Sequence, residues 1–229
     1  MIELLSPKSI SASPHRARLA AAGIKGGWNY VLDHAWLFEK IDAHMRGRPG
    51  AVIFDIGCGN SMLHPFLEKE LEAGIIGVDR IDGLCPHPGR SPIMDFCVDF
   101  LELSRTLESQ ADIVYWLSSI EHNPVQAQRA CVEASLRLLK PGGLFLATFG
   151  FSPTTHYYEP SQQTNLSAND AEQVFGTPWA VPPDFAATVE EYRLDLMELE
   201  TRHTKRYGTT EYDFIVAGAA VIKGEGPPR

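Results

Sequence analysis

The chain has 229 residues, 44% of them hydrophobic and 21% charged, a composition that excludes a disordered chain and suits one α/β domain with a full core. Its net charge of −9 at pH 7 argues against a protein that grips nucleic acid through phosphates, because no local basic patch offsets it. Cys58, Cys85, Cys97 and Cys131 form no C-x-x-C pair, Met1 to Ser13 lack the pattern of a secretory signal, and no apolar run approaches the roughly eighteen residues of a membrane helix. The expectation is a soluble cytoplasmic protein with reduced thiols and no membrane partner. Cys85-Pro86-His87 offers too few ligands for a metal site, so no metal is expected.

Met1 to Gly27 mixes Ser, Pro, Gly and basic residues and reads as a mobile arm, with a short helix around Arg16 to Ala22. Trp28 to Met45 is a helix by the spacing of Trp28, Val31, Leu32, Ala35 and Trp36, and Arg46-Gly47-Arg48-Pro49-Gly50 stops it. Residues 1–49 are thus an arm and a cap helix before the main domain of 50–229. Tyr30 and His34 lie one turn apart on that helix, and Tyr30 is a candidate substrate contact.

Ala51 to Ile56 is a short apolar strand running into Gly57-Cys58-Gly59, and Met62 to Leu71 follows as a helix. A strand, a glycine turn and a helix make the ligand-binding start of a doubly wound fold. A dinucleotide fingerprint would need a third glycine where Met62 stands, and Asp55 would repel a pyrophosphate. A ligand carrying an amino group and a sulfonium fits better. Gly74 to Asp79 is the second strand. Asp79 lies twenty residues past Gly59, where an acid receives ribose hydroxyls.

Prolines and glycines between Arg80 and Pro92 exclude a regular second crossover helix. Ile93 to Val98 is the expected third strand; Asp99 and Phe100 at its end are candidates for the adenine, with Asp95 a rival inside the strand. Leu101 to Ser109 reads as a short helix and Ala111 to Leu117 as the fourth strand. Ser118 to Pro124 then sits at the ligand edge. Val125 to Leu139 is an amphipathic helix, Lys140-Pro141-Gly142-Gly143 ends it, and Leu144 to Phe149 is the fifth strand.

In order, the chain shows Asp55-Ile56-Gly57-Cys58-Gly59, Gly77-Val78-Asp79, Val98-Asp99, Asp112-Ile113-Val114, Ile120-Glu121-His122 and Leu138-Leu139-Lys140-Pro141-Gly142-Gly143. This series resembles the class I S-adenosylmethionine-dependent methyltransferases, in particular the small-molecule branch of methyltransferase type 11/12, over roughly residues 50 to 150. The resemblance implies a Rossmann-like, mostly parallel seven-stranded sheet with an antiparallel last strand, and S-adenosyl-L-methionine as cofactor. It implies that Asp55, Gly57, Cys58 and Gly59 surround the methionine part and that Asp79 holds the ribose. Arg80, Asp99 and Phe100 would flank the adenine, and Ser118 would lie near the sulfonium. The broken second crossover departs from the pattern, which leaves the part of Arg80 open.

If the acceptor is a hydroxyl, a base helps to remove its proton. His122, with Glu121 beside it, is the candidate base; the alternative is that both only start the next helix. After the fifth strand, Phe151 to Pro160 is aromatic and polar and opens a covering segment of about 150–210. His156, Tyr157 and Tyr158 are candidate substrate contacts there, and Gln162, Gln163 and Asn165 suit a hydroxylated small molecule or saccharide. Ser167 caps a short helix ending at Gly176, Thr188 to Thr201 is a second helix, and Asp213 to Ile222 is the last strand, antiparallel beside the fifth. Thr201 to Tyr207 is the expected sixth strand. The leading reading is methyl transfer to a small polar acceptor. A protein or peptide side chain as acceptor, a non-catalytic cofactor-binding module and a nicotinamide oxidoreductase are its rivals. Nothing in the sequence specifies an oligomeric state.

Overall fold

Two Ser-Pro pairs open the described structure. Ser6 and Ser13 each cap a short helix with the side-chain oxygen, and the proline that follows takes the first helical position, where no N–H is needed. The computed structural model describes residues 1–24, 30–59, 61–79, 100–158, 162–179, 184–199 and 215–224. Its elements begin with β1 (Ile2–Leu4), α1 (Pro7–Ser11), α2 (Pro14–Ala21) and α3 (Tyr30–Met45). An alternating run follows: β2 (Val52–Ile56), α4 (Leu63–Leu71), β3 (Gly74–Val78), α5 (Phe100–Thr106), β4 (Ala111–Trp116), a 3-10 turn (Ile120–His122), α6 (Val125–Leu138) and β5 (Leu139–Phe151). Then come β6 (His156–Tyr158), β7 (Gln163–Asn165), α7 (Ala168–Phe175), α8 (Phe185–Leu199) and β8 (Ile215–Ile222).

The main sheet has the order β1-β8-β5-β4-β2-β3, with β6 and β7 as a separate hairpin. β3, β2, β4 and β5 pair in parallel, and β8 is antiparallel to both β5 and β1. The doubly wound sheet with an antiparallel last strand is therefore present. Among the described residues it has six strands rather than seven. The strands expected at 93–98 and 201–207 lie outside the described residues. One strand, β1, was not expected. Residues 2–4 read as an arm, but Ile2 and Leu5 are buried, and the amino terminus donates to the Ala220 carbonyl at 2.6 Å. Pairing with β1 removes an open edge from β8.

Side chains alternate between the two faces of the sheet, so each face has its own core. Ile53, Ile75, Ile113 and Tyr115 pack with α1 to α4, while Phe54, Ile56, Val114 and Trp116 pack with α5, α6 and α7. Helix α3 is seated by Trp36, whose indole lies across β8 at Gly218; a Cβ there would meet it at 2.5 Å. The same indole donates to Glu3 in β1 at 2.8 Å, and Lys40 pairs with that carboxylate at 2.6 Å.

Two of the sequence motifs are scaffold. Lys140 reaches the Asp112 carboxylate at 2.7 Å, and Asp112 also accepts the Val52 N–H at 2.9 Å. Burial pushes the Asp112 carboxyl up, but the Lys140 and Val52 hydrogen bonds outweigh it and hold it below its ordinary value. The Lys140 to Gly143 segment is part of β5 rather than a break before it. Gly142, at φ +76°, turns the chain, and its N–H bonds to Lys223 at 2.9 Å.

Candidate functional site

The chain steps from β2 out to β3 and returns on the other side of β2 as β4, so the strand order reverses between β2 and β4. Ligands in open α/β sheets bind beyond the carboxyl ends of the strands at such a point. Here the two loops interlock. Gly57 follows β2 at φ +73°, and a Cβ on it would meet Ser119 Cβ at 2.6 Å. Ser119 Oγ in turn donates to the Ile56 carbonyl at 2.8 Å. The Gly57 and Cys58 N–H groups both bond to the Val78 carbonyl, at 2.7 and 3.2 Å. At Gly59, φ +48°, an added Cβ would have nothing within 4 Å, so the backbone there is open to a ligand. The Gly59 N–H donates to Asp79 Oδ2 at 2.8 Å, which joins the glycine turn to the end of β3.

Asp55 points away from this open edge. It shares a face with Ile53, and its neighbours in register are Gly77 on β3 and Tyr115 on β4. The carboxylate is 3% exposed, and its Oδ2 accepts from Tyr115 Oη at 2.9 Å and from His64 Nε2 at 2.7 Å. Burial, and then the Asp55 charge, push the Tyr115 phenol well above its ordinary range. Gly77 makes room for this cluster: a Cβ on it would meet Cys58 Sγ at 2.9 Å and His64 Cε1 at 3.1 Å. The sequence had placed Asp55 around the cofactor because it precedes the glycines. The period-two alternation of the strand turns its side chain into the core instead.

After β4 the chain turns through Ser118, at φ +45°, whose N–H donates to Thr148 Oγ1 at 2.9 Å. Its hydroxyl donates to Asp33 Oδ2 at 2.5 Å. Asp33 is fully buried on α3, between Leu32 and the buried Trp36 and Leu37, and its Oδ1 has no partner among the described residues. Burial raises its carboxyl to about 7, with the Ser118 hydrogen bond opposing. Glu121, in the 3-10 turn, is 4% exposed, and its Oε2 has no partner among the described residues. Burial raises it to about 8; its own backbone N–H opposes this and the Asp33 charge adds to it. Two acids that lack a cation among the described residues therefore stand behind the turn after β4.

His122 takes the opposite side of the same short helix. It is exposed, and its Nδ1–H donates to the Gln162 carbonyl at 3.0 Å. Consecutive residues of a 3-10 turn point about 120° apart, so Glu121 and His122 do not share a face. The segment after β5 is a hairpin rather than an open loop. His156 Nδ1–H bonds to the Thr154 carbonyl at 3.1 Å, and its Nε2 faces Asn165 Nδ2 at 3.4 Å. Asn165 accepts from Gln163 at 2.7 Å and fills the space left by Gly150 on β5. Tyr157 is 60% exposed and Tyr30 is 45% exposed, its ring 5.7 Å from that of His34. Tyr158 lies in β6 opposite Gln163. Phe100 starts α5 with its ring edge-on to Trp116 at 5.2 Å. Arg80 and Asp99 lie outside the described residues.

Sequence reasoning missed Asp33, His64 and Tyr115. An acid flanked by the apolar stripe of a helix was the visible signal for Asp33. His64 and Tyr115 gave none, since either fits an ordinary apolar face. Among the described residues, no group of three or more His, Cys, Asp or Glu side chains is placed to hold a metal ion, and no helix is long and apolar enough to cross a membrane. The donor set suits a cationic nucleoside. It offers an open glycine backbone, an acid at the end of β3 and two acids with orphaned oxygens.

Residues 54–147 match a family model described as a methyltransferase domain. A search of curated proteins returned no match. Among solved structures, the [4+2]-cyclase SpnF has a TM-score of 0.63 at 16% identity, with 99% of this chain and 98% of that one covered. A Haemonchus contortus phosphoethanolamine N-methyltransferase, in complex with phosphomonomethylethanolamine and S-adenosylhomocysteine, has a TM-score of 0.55 at 14% identity, covering 93% of this chain and 61% of that one. The cyclopropane synthase MmaA2 from Mycobacterium tuberculosis has a TM-score of 0.55 at 13% identity, covering 93% and 95%. At these identities the likeness is one of fold. The match over residues 54–147, on a sheet of this topology, identifies a methyltransferase domain whose cofactor is S-adenosylmethionine.

Proposed function

We propose that the chain methylates a hydroxyl of a small polar acceptor, a metabolite or a saccharide, and that Glu121 takes the hydroxyl's proton. S-adenosylmethionine supplies an electrophilic methyl group on a sulfonium. The protein's part is to hold the two reactants in line and to receive a proton. In this reading Gly57, Cys58 and Gly59 hold the methionine part, Asp79 the ribose, and Ser118 lines the site beside the transferred group. Phe100 borders the adenine side. Asp55 acts from behind, fixing the glycine turn through Tyr115 and His64.

The observation that carries the reading is the Glu121 carboxyl, buried at the ligand edge with one oxygen unpartnered and burial holding it near 8. A carboxyl in that range accepts a proton near neutral pH, which an ordinary one does poorly. His122 is the weaker base because it is exposed and its Nδ1–H is already engaged. The small acceptor is supported by the hairpin β6–β7, whose polar side chains are fixed by one another close to the 3-10 turn. Its outer Tyr157, with Tyr158 in the same strand and Tyr30 on α3, would meet the acceptor's far end.

The test is methyl transfer from labelled cofactor to a panel of polyols, saccharides, hydroxy acids and, because one neighbour binds a phosphorylated amine, amines. Glu121→Gln is expected to lower kcat, measured at saturating cofactor, by about 10²–10⁴. Full turnover in Glu121→Gln would remove Glu121 from the mechanism. Transfer to amines alone would replace the hydroxyl acceptor.

A further inference from the structure

Asp33 lies outside the stretch that matches the family model, yet it is the most deeply placed acid beside the site. Its Oδ2 is tied to Ser118, one residue from the Ser119 that packs on Gly57. Its Oδ1 and the Oε2 of Glu121 are both buried without partners among the described residues. Two neighbouring titratable groups of the described residues are neutral near pH 7. His34, next along α3, is held down to about 4 by burial, and its Nδ1 has no partner among the described residues. The Tyr192 phenol of α8 is held well above its ordinary range, by burial and then by the Asp33 charge. Among the described residues neither carboxyl pairs with a Lys or Arg. Ionising such a pair is costly unless a ligand brings the positive charge.

We propose that Asp33 and Glu121 form a proton store that follows the charge of the cofactor, holding one proton fewer when the sulfonium is bound than when the neutral thioether is bound. The cation supplies the counter-charge that the protein omits. During transfer the C–S bond breaks and its electron pair stays on sulfur. The acceptor oxygen forms the new O–C bond with a lone pair, and its proton passes to the carboxylate. The site is neutral before and after, one cation and one carboxylate becoming a thioether and a carboxylic acid. The fate of the acceptor's proton rests on the hydroxyl reading above. The coupling to cofactor charge does not.

Calorimetry in phosphate and in Tris buffer at about pH 7.5 measures the protons released on binding S-adenosylmethionine and S-adenosylhomocysteine. The sulfonium makes the ligand's own amino group more acidic than it is in the thioether, so each free ligand is titrated in the same buffers and its own proton change is subtracted. The sulfonium ligand is expected to release about half to one proton more. Its affinity relative to the thioether is expected to rise about 3- to 10-fold per pH unit between about pH 6.5 and 8. Asp33→Asn and Glu121→Gln are each expected to remove half or more of the difference. Equal release by the two ligands in the unaltered protein would overturn the proposal, and that comparison needs no variant to fold. So would a difference that survives in both variants. Failure of the sulfonium to bind would overturn the cofactor assignment as well. A full proton difference in a protein that methylates only amines would overturn the hydroxyl reading and leave the coupling standing.

Discussion

Buried carboxyls lie on both sides of the interlocked turns after β2 and β4, and the fold treats them in opposite ways. Asp55 is met by a phenol and an imidazole, with a glycine opposite to make room for them. Asp33 and Glu121 each keep a buried oxygen with no partner among the described residues. Buried polar groups are almost always satisfied, so the first arrangement reads as scaffold and the second as a site completed by something else. Both sets border the same glycine turn. One fixes its shape, and the other sets the charge that it faces.

The largest effect expected from breaking this contrast is at Asp55. Asp55→Ala would leave His64 and the Tyr115 hydroxyl without their shared acceptor, at a cost of about 3–5 kcal/mol in urea unfolding. A loss below about 1 kcal/mol would mean that the cluster is not scaffold. Asp33 should respond with the opposite sign. Its folded carboxyl is raised to about 7, so its contribution is fully present below about pH 4 and is lost as the pH rises through 7. Asp33→Asn keeps an acceptor for Ser118 and removes the charge. It should therefore be more stable than the unaltered protein at about pH 8.5 by about 1–4 kcal/mol, and the gain should vanish near pH 4. Thermal unfolding across that range checks it; a constant offset would mean that Asp33 does not titrate as described.

Gly77→Ala tests the room made for His64. The new methyl would press on Cys58 Sγ and His64 Cε1, costing about 1–3 kcal/mol of overpacking. Pairing it with His64→Ala should recover the part of that loss that the ring causes, leaving the part due to Cys58, and a strictly additive double variant would separate the two positions. The smallest effect belongs to His122, which is exposed outside both clusters. His122→Ala is expected to change stability by less than about 0.5 kcal/mol. A fall in kcat of about 10²–10⁴ there would instead return the base role to His122.

The helices and parallel strands from Val52 to Phe151 were legible because each is a short run of uniform period bounded by Gly, Pro or Ser. β1 was not, because three residues give no period, and Ser-Pro at 6–7 and 13–14 was the clearer sign of order. Backbone geometry was legible at Gly57 and Gly59, both at positive φ, and at Asp79, which the Gly59 N–H meets. The site was not legible where a side chain's direction decides the matter. The motif Ile120-Glu121-His122 drew attention to the imidazole, but the turn buries its carboxylate neighbour and leaves the ring outside. Asp33 became visible only when α3 was set against the turn after β4, because no local pattern relates residue 33 to residue 118.

Helix α3 is held at one point by a flat ring on a bare backbone. Gly218 has no positive φ to explain it; the Trp36 indole occupies the space. Trp36 lies three residues after Asp33, so the seat of the indole also fixes the rotation of the helix that delivers the acid. In evolutionary terms this makes a ratchet. A side chain at 218 cannot arise while Trp36 is present, and losing Trp36 first would open a gap and release Glu3 and the first strand. Positions 3, 36 and 218 should therefore drift together or not at all, carrying residue 33 with them, while the helix's outer face is free to diverge.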